Sequence, residues 1–218
     1  MVLKLENYNM KKITIIDYGC GNILSISRAL EKIGYSSLFS KDKNEIIESD
    51  FLILPGVGSF KQAMSLLNKD NLKYIIKQAV LDKRIPLLGI CLGMQILLTK
   101  SFEEGKFEGL NLIEGEVVKI KSLKNNKIPI PNINWCNLNF KNNIKENFIE
   151  LEDKSFYFIH SYMAITKNIE NTIATAKYKN VNIPSVIKSK NIIGCQFHPE
   201  KSGQNGLNFL KKIIKLYE

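Results

Sequence analysis

The stretch Pro86-Leu87-Leu88-Gly89-Ile90-Cys91-Leu92-Gly93-Met94-Gln95 has the pattern of a strand, a tight turn and a helix. Its apolar residues predict a buried strand over residues 85–90 and a helix over residues 94–98. Glycines two positions before and after Cys91 allow the backbone to turn without a side-chain clash. Such a turn presents the thiol above the sheet edge at a helix N-terminus, where free N–H groups and the helix dipole favour a thiolate. The stretch therefore predicts a nucleophilic cysteine.

A second run, Gly194-Cys195-Gln196-Phe197-His198-Pro199-Glu200, supplies a base for such a nucleophile. On an extended segment, residues two apart point to the same face, so Glu200 can orient the His198 ring. The chain contains two histidines, and the other one, His160, ends a predicted strand without an acidic neighbour. We therefore predict a Cys91–His198–Glu200 triad, with His160 as a pocket or turn residue.

The first half of the chain alternates between strand-like and helix-like segments. Asn22 can cap a helix whose apolar positions follow a 3.6-residue period and which ends at Gly34. The strand-like segments are residues 12–17, 36–39, 51–54 and 85–90, and further helix-like segments are residues 62–67, 72–81 and 94–98. This alternation predicts an α/β fold, with a mostly parallel central sheet flanked by helices.

The second half predicts additional antiparallel strands and a closing amphipathic helix over residues 206–217. The strands are expected at residues 115–120, 134–140, 155–160, 172–178, 184–187 and 192–197, and residues 121–127 and 141–146 are expected to be loops. Because the proposed triad draws on both halves, we predict one domain over residues 12–218, preceded by an N-terminal extension of residues 1–11.

The net charge of +10 comes almost entirely from lysine, since Arg28 and Arg84 are the only arginines. The lysines are scattered among asparagines and are not interleaved with aromatic residues, which argues against a nucleic-acid partner. We interpret them as solvated surface residues. The alternative is a docking face for an acidic partner or for phosphorylated metabolites.

Four separated cysteines, Cys20, Cys91, Cys136 and Cys195, show no C-x-x-C spacing. Neither a metal site nor a disulfide framework is predicted, and no cofactor is expected. The start carries Lys4 and Glu6 without an apolar core, so no signal peptide is expected. No uncharged apolar stretch approaches the roughly 20 residues of a membrane span. We therefore expect a reduced, cytoplasmic protein that does not bind membranes.

Two glycine-rich runs follow predicted strands. Tyr18-Gly19-Cys20-Gly21-Asn22 fails as a dinucleotide fingerprint, because Leu24 occupies the third glycine position and no acidic residue ends the second strand. Pro55-Gly56-Val57-Gly58-Ser59-Phe60 can expose backbone N–H groups for a phosphate or an oxyanion. Its strand neighbours the one that leads to Cys91, which favours the oxyanion.

These motifs, in this order, resemble the class I (triad) glutamine amidotransferases. More closely, they resemble the glutaminase subunit of imidazole glycerol phosphate synthase, over roughly residues 12–215. The motifs that carry the closer resemblance are Ile16-Asp17-Tyr18-Gly19-x-Gly21-Asn22, Leu54–Phe60, His160-Ser161-Tyr162 and His198-Pro199-Glu200-Lys201-Ser202.

The resemblance implies a reaction. Cys91 would attack the side-chain amide carbon of L-glutamine, and His198, oriented by Glu200, would carry the thiol proton to the leaving ammonia. The N–H of Leu92 and a peptide N–H within Gly56, Val57 and Gly58 would hold the oxyanion, and water would release glutamate from the thioester.

The resemblance also implies a glutamine pocket and a partner. Gln95 and the segment His160, Ser161 and Tyr162 would line the pocket, the segment mainly through its backbone. Ammonia would pass to a (β/α)8-barrel cyclase subunit in a 1:1 heterodimer of histidine biosynthesis. The interface residues expected from the resemblance are Asn22, Trp135 and Lys201.

One segment departs from the family pattern Pro-His-Met-Gly-Trp-Asn, since this chain reads Pro131-Asn132-Ile133-Asn134-Trp135-Cys136. We expect the segment to touch the partner at the surface and its changes not to reach the triad; neutral drift on a loop is the alternative. The departure leaves open a paralogue that feeds ammonia to another acceptor, such as a sugar amidination enzyme. A free-standing γ-glutamyl hydrolase and a catalytically silent scaffold are further alternatives, the second disfavoured by the intact triad residues.

Overall fold

The computed structural model describes residues 11–121 and 128–218. Most of the expected N-terminal extension and of the expected loop at 121–127 therefore lies outside the described residues. The strands of the first half are β1 (Ile13–Ile16), β2 (Ser37–Ser40), β3 (Phe51–Leu54) and β4 (Leu87–Ile90). Those of the second half are β5 (Lys100–Ser101), β6 (Phe107–Glu108), β7 (Gly115–Lys119), β8 (Asn132–Phe140), β9 (Ser155–His160), β10 (Tyr162–Thr166), β11 (Thr172–Tyr178), β12 (Val181–Ser189) and β13 (Ile192–Cys195).

The α-helices pack around these strands. They are α1 (Ile23–Lys32), α2 (Lys43–Ile47), α3 (Phe60–Lys69), α4 (Leu72–Lys77), α5 (Leu92–Ile96) and α6 (Gly203–Lys215). A π-helical turn, Gln78–Asp82, continues α4, and Lys145–Leu151, Ile169–Asn171 and Pro199–Lys201 form short 3-10 helices. No helix in the described part of the chain has both the length and the hydropathy that a membrane crossing requires.

Within the described residues, nine strands form the main sheet, in the order β2-β1-β3-β4-β13-β12-β11-β8-β9. The pairs from β2 to β13 are parallel, and the pairs from β13 to β9 are antiparallel. A second sheet of four strands has the order β10-β7-β5-β6. The expected α/β fold with antiparallel strands in the second half is confirmed. Because β4 and β13 are parallel neighbours, the segments that follow them emerge side by side at one edge.

The sheet is covered on both sides, which explains the apolar runs in its central strands. All four residues of β1, β3, β4 and β13 are buried, as is usual for parallel strands between helix layers. On one side α6 contributes Phe209, which packs 4.9 Å from Phe197 between ring centroids. On the other side α3 contributes Phe60 and Leu67, both fully buried. Each such side chain stabilises the fold by roughly 1.5–3 kcal/mol.

Several local expectations were wrong in detail. The side chain of Asn22 makes no capping hydrogen bond, although α1 begins directly after it. Helix α2 and strands β5, β6 and β10 were not predicted; α2 has fewer than two helical turns, which is too short to show a helical period, and β5 and β6 have two residues each. Strand β12 extends on both sides of the expected residues 184–187, since its neighbours β11 and β13 provide backbone partners for a longer segment.

Candidate active site

Cys91 lies on a strained turn between β4 and α5. Its φ and ψ are 55° and −108°, a combination that costs a non-glycine residue on the order of 1–3 kcal/mol. The turn is held by a hydrogen bond of 2.8 Å from the Cys91 amide to the carbonyl oxygen of Cys195, on the adjacent β13. A Cβ on Gly93 would overlap the carbonyl oxygen of Leu54, so only glycine lets α5 start against β3. The predicted strand, tight turn and helix around Cys91, together the elbow, are thus present.

His198 follows β13 and reaches the same edge. Its Nδ1 lies 2.8 Å from Glu200 Oε1, and both side chains are buried. The expected extended path is wrong for the residues after His198, because Pro199–Lys201 forms a 3-10 turn. That turn still brings the carboxylate onto the imidazole. Because a carboxylate only accepts hydrogen bonds, the Nδ1 atom carries the proton and Nε2 is left for the thiol.

Two opposing effects act on the pKa of His198. Burial lowers this pKa, but hydrogen bonds and charge interactions with Cys91 and Glu200 outweigh burial and raise it to about 10. The imidazolium form is therefore favoured beside the sulfur. A cationic ring next to the thiol is the arrangement that activates a cysteine nucleophile.

A cavity of about 620 Å³ opens above Cys91 and His198. All four residues expected in the glutamine pocket line it, namely Gln95, His160, Ser161 and Tyr162. Its other lining residues include Val57, Gly58, Leu92, Glu103, Glu104, Lys119, Ile130, Pro131, Ile159 and Lys201. The cavity is large enough for an amino acid the size of glutamine.

The expected oxyanion residues lie on the elbow side of this cavity. Val57, Gly58 and Leu92 line it, and the Val57 side chain is 43% exposed. Gly58 has a φ of 96°, which favours glycine. Gly56 does not line the cavity; a Cβ there would lie 2.6 Å from the Gly93 nitrogen, so it packs directly against the elbow.

The two histidines differ in protonation and in partners. His160 is buried, and burial lowers its pKa to about 4, with a smaller opposing contribution from its bond to the Tyr162 backbone. Its Nδ1 lies 2.8 Å from the carbonyl oxygen of Tyr162, and Nε2 lies 3.0 Å from the Asn132 side-chain nitrogen. With both nitrogens engaged and the ring neutral, His160 lacks the features of the base.

Two acidic residues were missed by the sequence reasoning. Glu103 and Glu104 lie in the loop after β5 and line the cavity. The Glu103 carboxylate accepts a hydrogen bond of 2.7 Å from the Phe60 amide at the start of α3. Burial raises the Glu103 pKa, while that hydrogen bond opposes the rise. The Glu-Glu pair has no distinctive spacing, so nothing in the sequence marked it.

Of the expected interface residues, Lys201 lines the cavity, whereas Asn22 and Trp135 are not among its lining residues. Asn22 is half-buried before α1, and Lys201 is exposed beside His198. Trp135 is 52% exposed, with its ring 5.9 Å from that of Tyr157. The expectation that the changes in the departing segment lie at the surface is wrong for Asn132 and Cys136, which are both buried; Asn132, at the start of β8, contacts His160.

The model of the family "Glutamine amidotransferase class-I" matches residues 14–216. The chain belongs to the class I glutamine amidotransferases. Among curated relatives of this amidotransferase, "Imidazole glycerol phosphate synthase subunit HisH" of Lactococcus lactis subsp. lactis (strain IL1403) is 43% identical over 206 residues, covering 94% of this chain and 99% of the relative. The subunit of the same name from Bacillus subtilis (strain 168) is 40% identical over 206 residues, covering 94% and 96%.

Solved structures agree on the fold of this amidotransferase. A chain from the structure of PurLQS from Thermotoga maritima superposes with a TM-score of 0.71 at 21% identity, covering 96% of this chain and all of that one. At this identity the likeness concerns the fold alone. The family match and the relatives, which are similar over 94% of this chain, together show that it is a glutamine amidotransferase enzyme.

Proposed function

We propose that this amidotransferase is the glutaminase subunit of imidazole glycerol phosphate synthase, and that Cys91, His198 and Glu200 hydrolyse L-glutamine to supply ammonia. The observation that carries the proposal is Cys91 on a strained elbow beside an imidazole that is bonded to a buried carboxylate. The two named relatives, similar over 94% of the chain, support the assignment to this synthase.

In the first half of the reaction, the Cys91 sulfur forms a bond with the amide carbon of glutamine, and the carbonyl electron pair moves to oxygen. His198 has taken the thiol proton, and it delivers a proton to the departing nitrogen, so ammonia leaves when the carbon–nitrogen bond breaks. In the second half, His198 removes a proton from water, which attacks the thioester. The carbon–sulfur bond breaks, glutamate is released, and the proton on His198 returns to the Cys91 sulfur.

The negative oxygen formed in both halves needs donors. The N–H of Leu92, at the start of α5, and a peptide N–H in the Gly56–Gly58 segment are the groups we assign to it. One such donor increases the rate by a factor of about 10²–10³. Gly58, at a φ of 96°, gives this segment the freedom to reorient a peptide group.

The polar lining fits the remainder of glutamine. We assign the α-ammonium group to the side of the cavity where Glu103 and Glu104 lie, and the side-chain amide to the Cys91 side. The carboxylates complement the ammonium charge, and backbone groups of Ser161 and Tyr162 hold the substrate between the two ends.

We assign the partner's docking face to the exposed side of β8 and β9. Ile133 pairs with Ile159 and Trp135 pairs with Tyr157 across these strands, and Ile133 and Trp135 are more than half exposed. An apolar face with an aromatic anchor at a cavity rim suits a partner that receives ammonia. The partner we propose is a (β/α)8-barrel cyclase in a 1:1 heterodimer, bound by a single amidotransferase domain of residues 12–218, with Asn22 and Lys201 at the same interface.

The experiment measures glutamate release by the pure chain, with and without the cyclase barrel of the same cell and its acceptor substrate. Formation of imidazole glycerol phosphate with glutamine as the nitrogen source supports the proposal. Cys91→Ala should abolish both products, whereas Cys136→Ala, which removes another buried thiol, should keep them. Glutaminase activity without any cyclase product would count against it.

A second candidate is a paralogue that feeds ammonia to another acceptor. The observation in its favour is the buried Asn132 where the family pattern has histidine, because it contacts His160 in the cavity wall. If the cell has two cyclase-like barrels, stimulation only by the one outside histidine synthesis would select this candidate. Strong activity of the chain alone on γ-glutamyl peptides would select a free-standing hydrolase instead.

A further inference from the structure

A row of buried and partly buried hydrogen bonds begins at the candidate nucleophile. The Gln196 side-chain nitrogen lies 3.7 Å from the Cys91 sulfur. The Gln196 side-chain oxygen accepts a hydrogen bond of 3.0 Å from the Gln95 side-chain nitrogen. That same nitrogen donates a second bond of 3.0 Å to the backbone carbonyl oxygen of Tyr162.

The row continues from this carbonyl to strand β8. His160 Nδ1 lies 2.8 Å from the Tyr162 oxygen, and His160 Nε2 lies 3.0 Å from the Asn132 side-chain nitrogen. Asn132 and Gln196 are both fully buried. Bulk water therefore does not compete for the side-chain groups at the two ends of the row.

The direction of every bond follows from the Tyr162 carbonyl, because a carbonyl can only accept. Gln95 must therefore turn its nitrogen to Tyr162 and donate also to Gln196, which leaves the Gln196 nitrogen to donate to sulfur. On the other side, His160 Nδ1 carries the proton, so Nε2 of the neutral ring accepts from the amide of Asn132. No amide in the row can be flipped without losing a bond.

We propose that Gln196 and Asn132 are positioning residues for Cys91: Gln196 donates to the sulfur, and Asn132 holds the far end of the same row through His160, Tyr162 and Gln95. This inference rests on the proposed role of Cys91 as the nucleophile. Neither residue touches the reacting carbon. They act by fixing where the sulfur lies and by stabilising its charged form.

Two physical effects connect this row of hydrogen bonds to the rate of the reaction at Cys91. A hydrogen bond to a charged acceptor is roughly twice as strong as a neutral one, so the Gln196 N–H favours the thiolate. A misplacement of about 1 Å at a reacting group can cost about 100-fold in rate. The Asn132 side-chain oxygen is buried and has no hydrogen-bond partner within residues 11–121 and 128–218, a cost that the bond from its nitrogen to His160 offsets.

The main test replaces Gln196 by methionine, which has similar length and no N–H donor. We expect kcat for glutamine hydrolysis, measured with the cyclase partner, to fall about 10–100-fold, the effect of one charge-assisted hydrogen bond. KM should change less than about threefold, because the substrate contacts remain. Gln204→Met is the matched control, since Gln204 is exposed on α6 and bonds only to Asn208 among the contacts described.

A second readout separates positioning from a general loss of structure. Alkylation of Cys91 by iodoacetamide, followed by peptide mass spectrometry, is measured against pH for correctly folded variants with native circular dichroism. Gln196→Met should move the half-maximal rate to higher pH, because the thiolate has lost a donor. Asn132→Leu should move it in the same direction by less, and Asn182→Leu, at an exposed site on β12, should leave it unchanged.

The outcomes are distinct. An alkylation profile and a kcat of Gln196→Met equal to those of the wild type would overturn the positioning role while Cys91→Ala still shows Cys91 to be the nucleophile. If Asn132→Leu had the same pH dependence of Cys91 alkylation as the wild type, the positioning role of Asn132 would be overturned. Full glutamine hydrolysis by Cys91→Ala would instead overturn the proposed function.

Discussion

The Nδ1 atom of His198 lies 2.8 Å from Glu200 Oε1, and both side chains are buried. This contact fixes the ring's tautomer and, together with Cys91, holds the His198 pKa at about 10. The charge on the ring is therefore a property of the folded chain, since an unfolded histidine has a pKa of roughly 6.5.

Glu200→Gln should lower the pKa of His198 and reduce kcat by a factor on the order of 10²–10⁴, because the tautomer is no longer fixed by a charge. The linkage has a definite sign. Because folding raises the pKa of His198, the protonated ring contributes to the free energy of unfolding. This contribution is complete below about pH 6.5 and is lost as pH rises through about 10. The free energy of unfolding, measured with urea between pH 6 and 10, should fall less with rising pH for Glu200→Gln than for the wild type. Equal slopes for the two proteins would contradict the proposed linkage.

The two histidines should give different kinetic phenotypes. We expect His198→Ala to lower kcat by several powers of ten and to move Cys91 alkylation to higher pH, because the cationic neighbour is lost. His160→Ala should raise KM, since its ring supports the Tyr162 carbonyl in the cavity wall, and it should move Cys91 alkylation to higher pH by less than His198→Ala, because the loss of the ring also interrupts the row that reaches Gln196. Steady-state hydrolysis and iodoacetamide labelling of both variants check this. A larger alkylation shift in His160→Ala would reverse the assignment of the base.

Gly93→Ala should destabilise the fold, because its Cβ would overlap the backbone oxygen of Leu54. We expect a loss of at least about 1–3 kcal/mol in the free energy of unfolding, as for other overpacked core positions. Chemical denaturation measures it. Ser65→Ala, on the exposed side of α3, is the control and should stay within about 0.5 kcal/mol of the wild type. A Gly93→Ala protein as stable as this control would show that the elbow can move away from β3.

Trp135→Ala should weaken stimulation by the cyclase partner and leave the basal hydrolysis of the isolated chain within about twofold, since the ring lies on the outer face of β8. Titration of glutaminase activity with the barrel measures the apparent affinity. Ile169→Ala removes an even more exposed apolar side chain away from this face and serves as the control. Equal losses in the two variants would place the interface elsewhere.

The isolated chain should be a poor glutaminase that a loaded partner activates by about 10²–10³, the contribution of one oxyanion donor. The physical basis is the Gly56–Gly58 segment, where Gly58 has a φ of 96° and leaves the Val57 peptide room to turn. Gly58→Ala should reduce the activation by restricting that turn. Stopped assays of glutamate release, with and without the partner, measure the ratio. Full activity in the partner-free protein would exclude such a gate.

Sequence reasoning predicted the elements whose chemistry is local. The elbow at Cys91 and the His198–Glu200 contact each depend on a few adjacent residues, and both are present. The contacts of Glu103 and Gln196 could not be predicted, because they depend on which loop and strand meet across the sheet. Asn132 was misplaced for the same reason: its burial is set by pairing with His160 on β9, 28 residues away.

The central place of β13 has a consequence for how the chain is synthesised. Cys91 leaves the ribosome long before His198, which lies just after β13, a strand that must insert between β4 and β12. A nascent or truncated chain that lacks this strand carries Cys91 without the Cys195 carbonyl that holds its turn. The proposed glutamine hydrolysis therefore waits until β13 has been synthesised and inserted, so that glutamine consumption would report that β4, β13 and β12 have assembled.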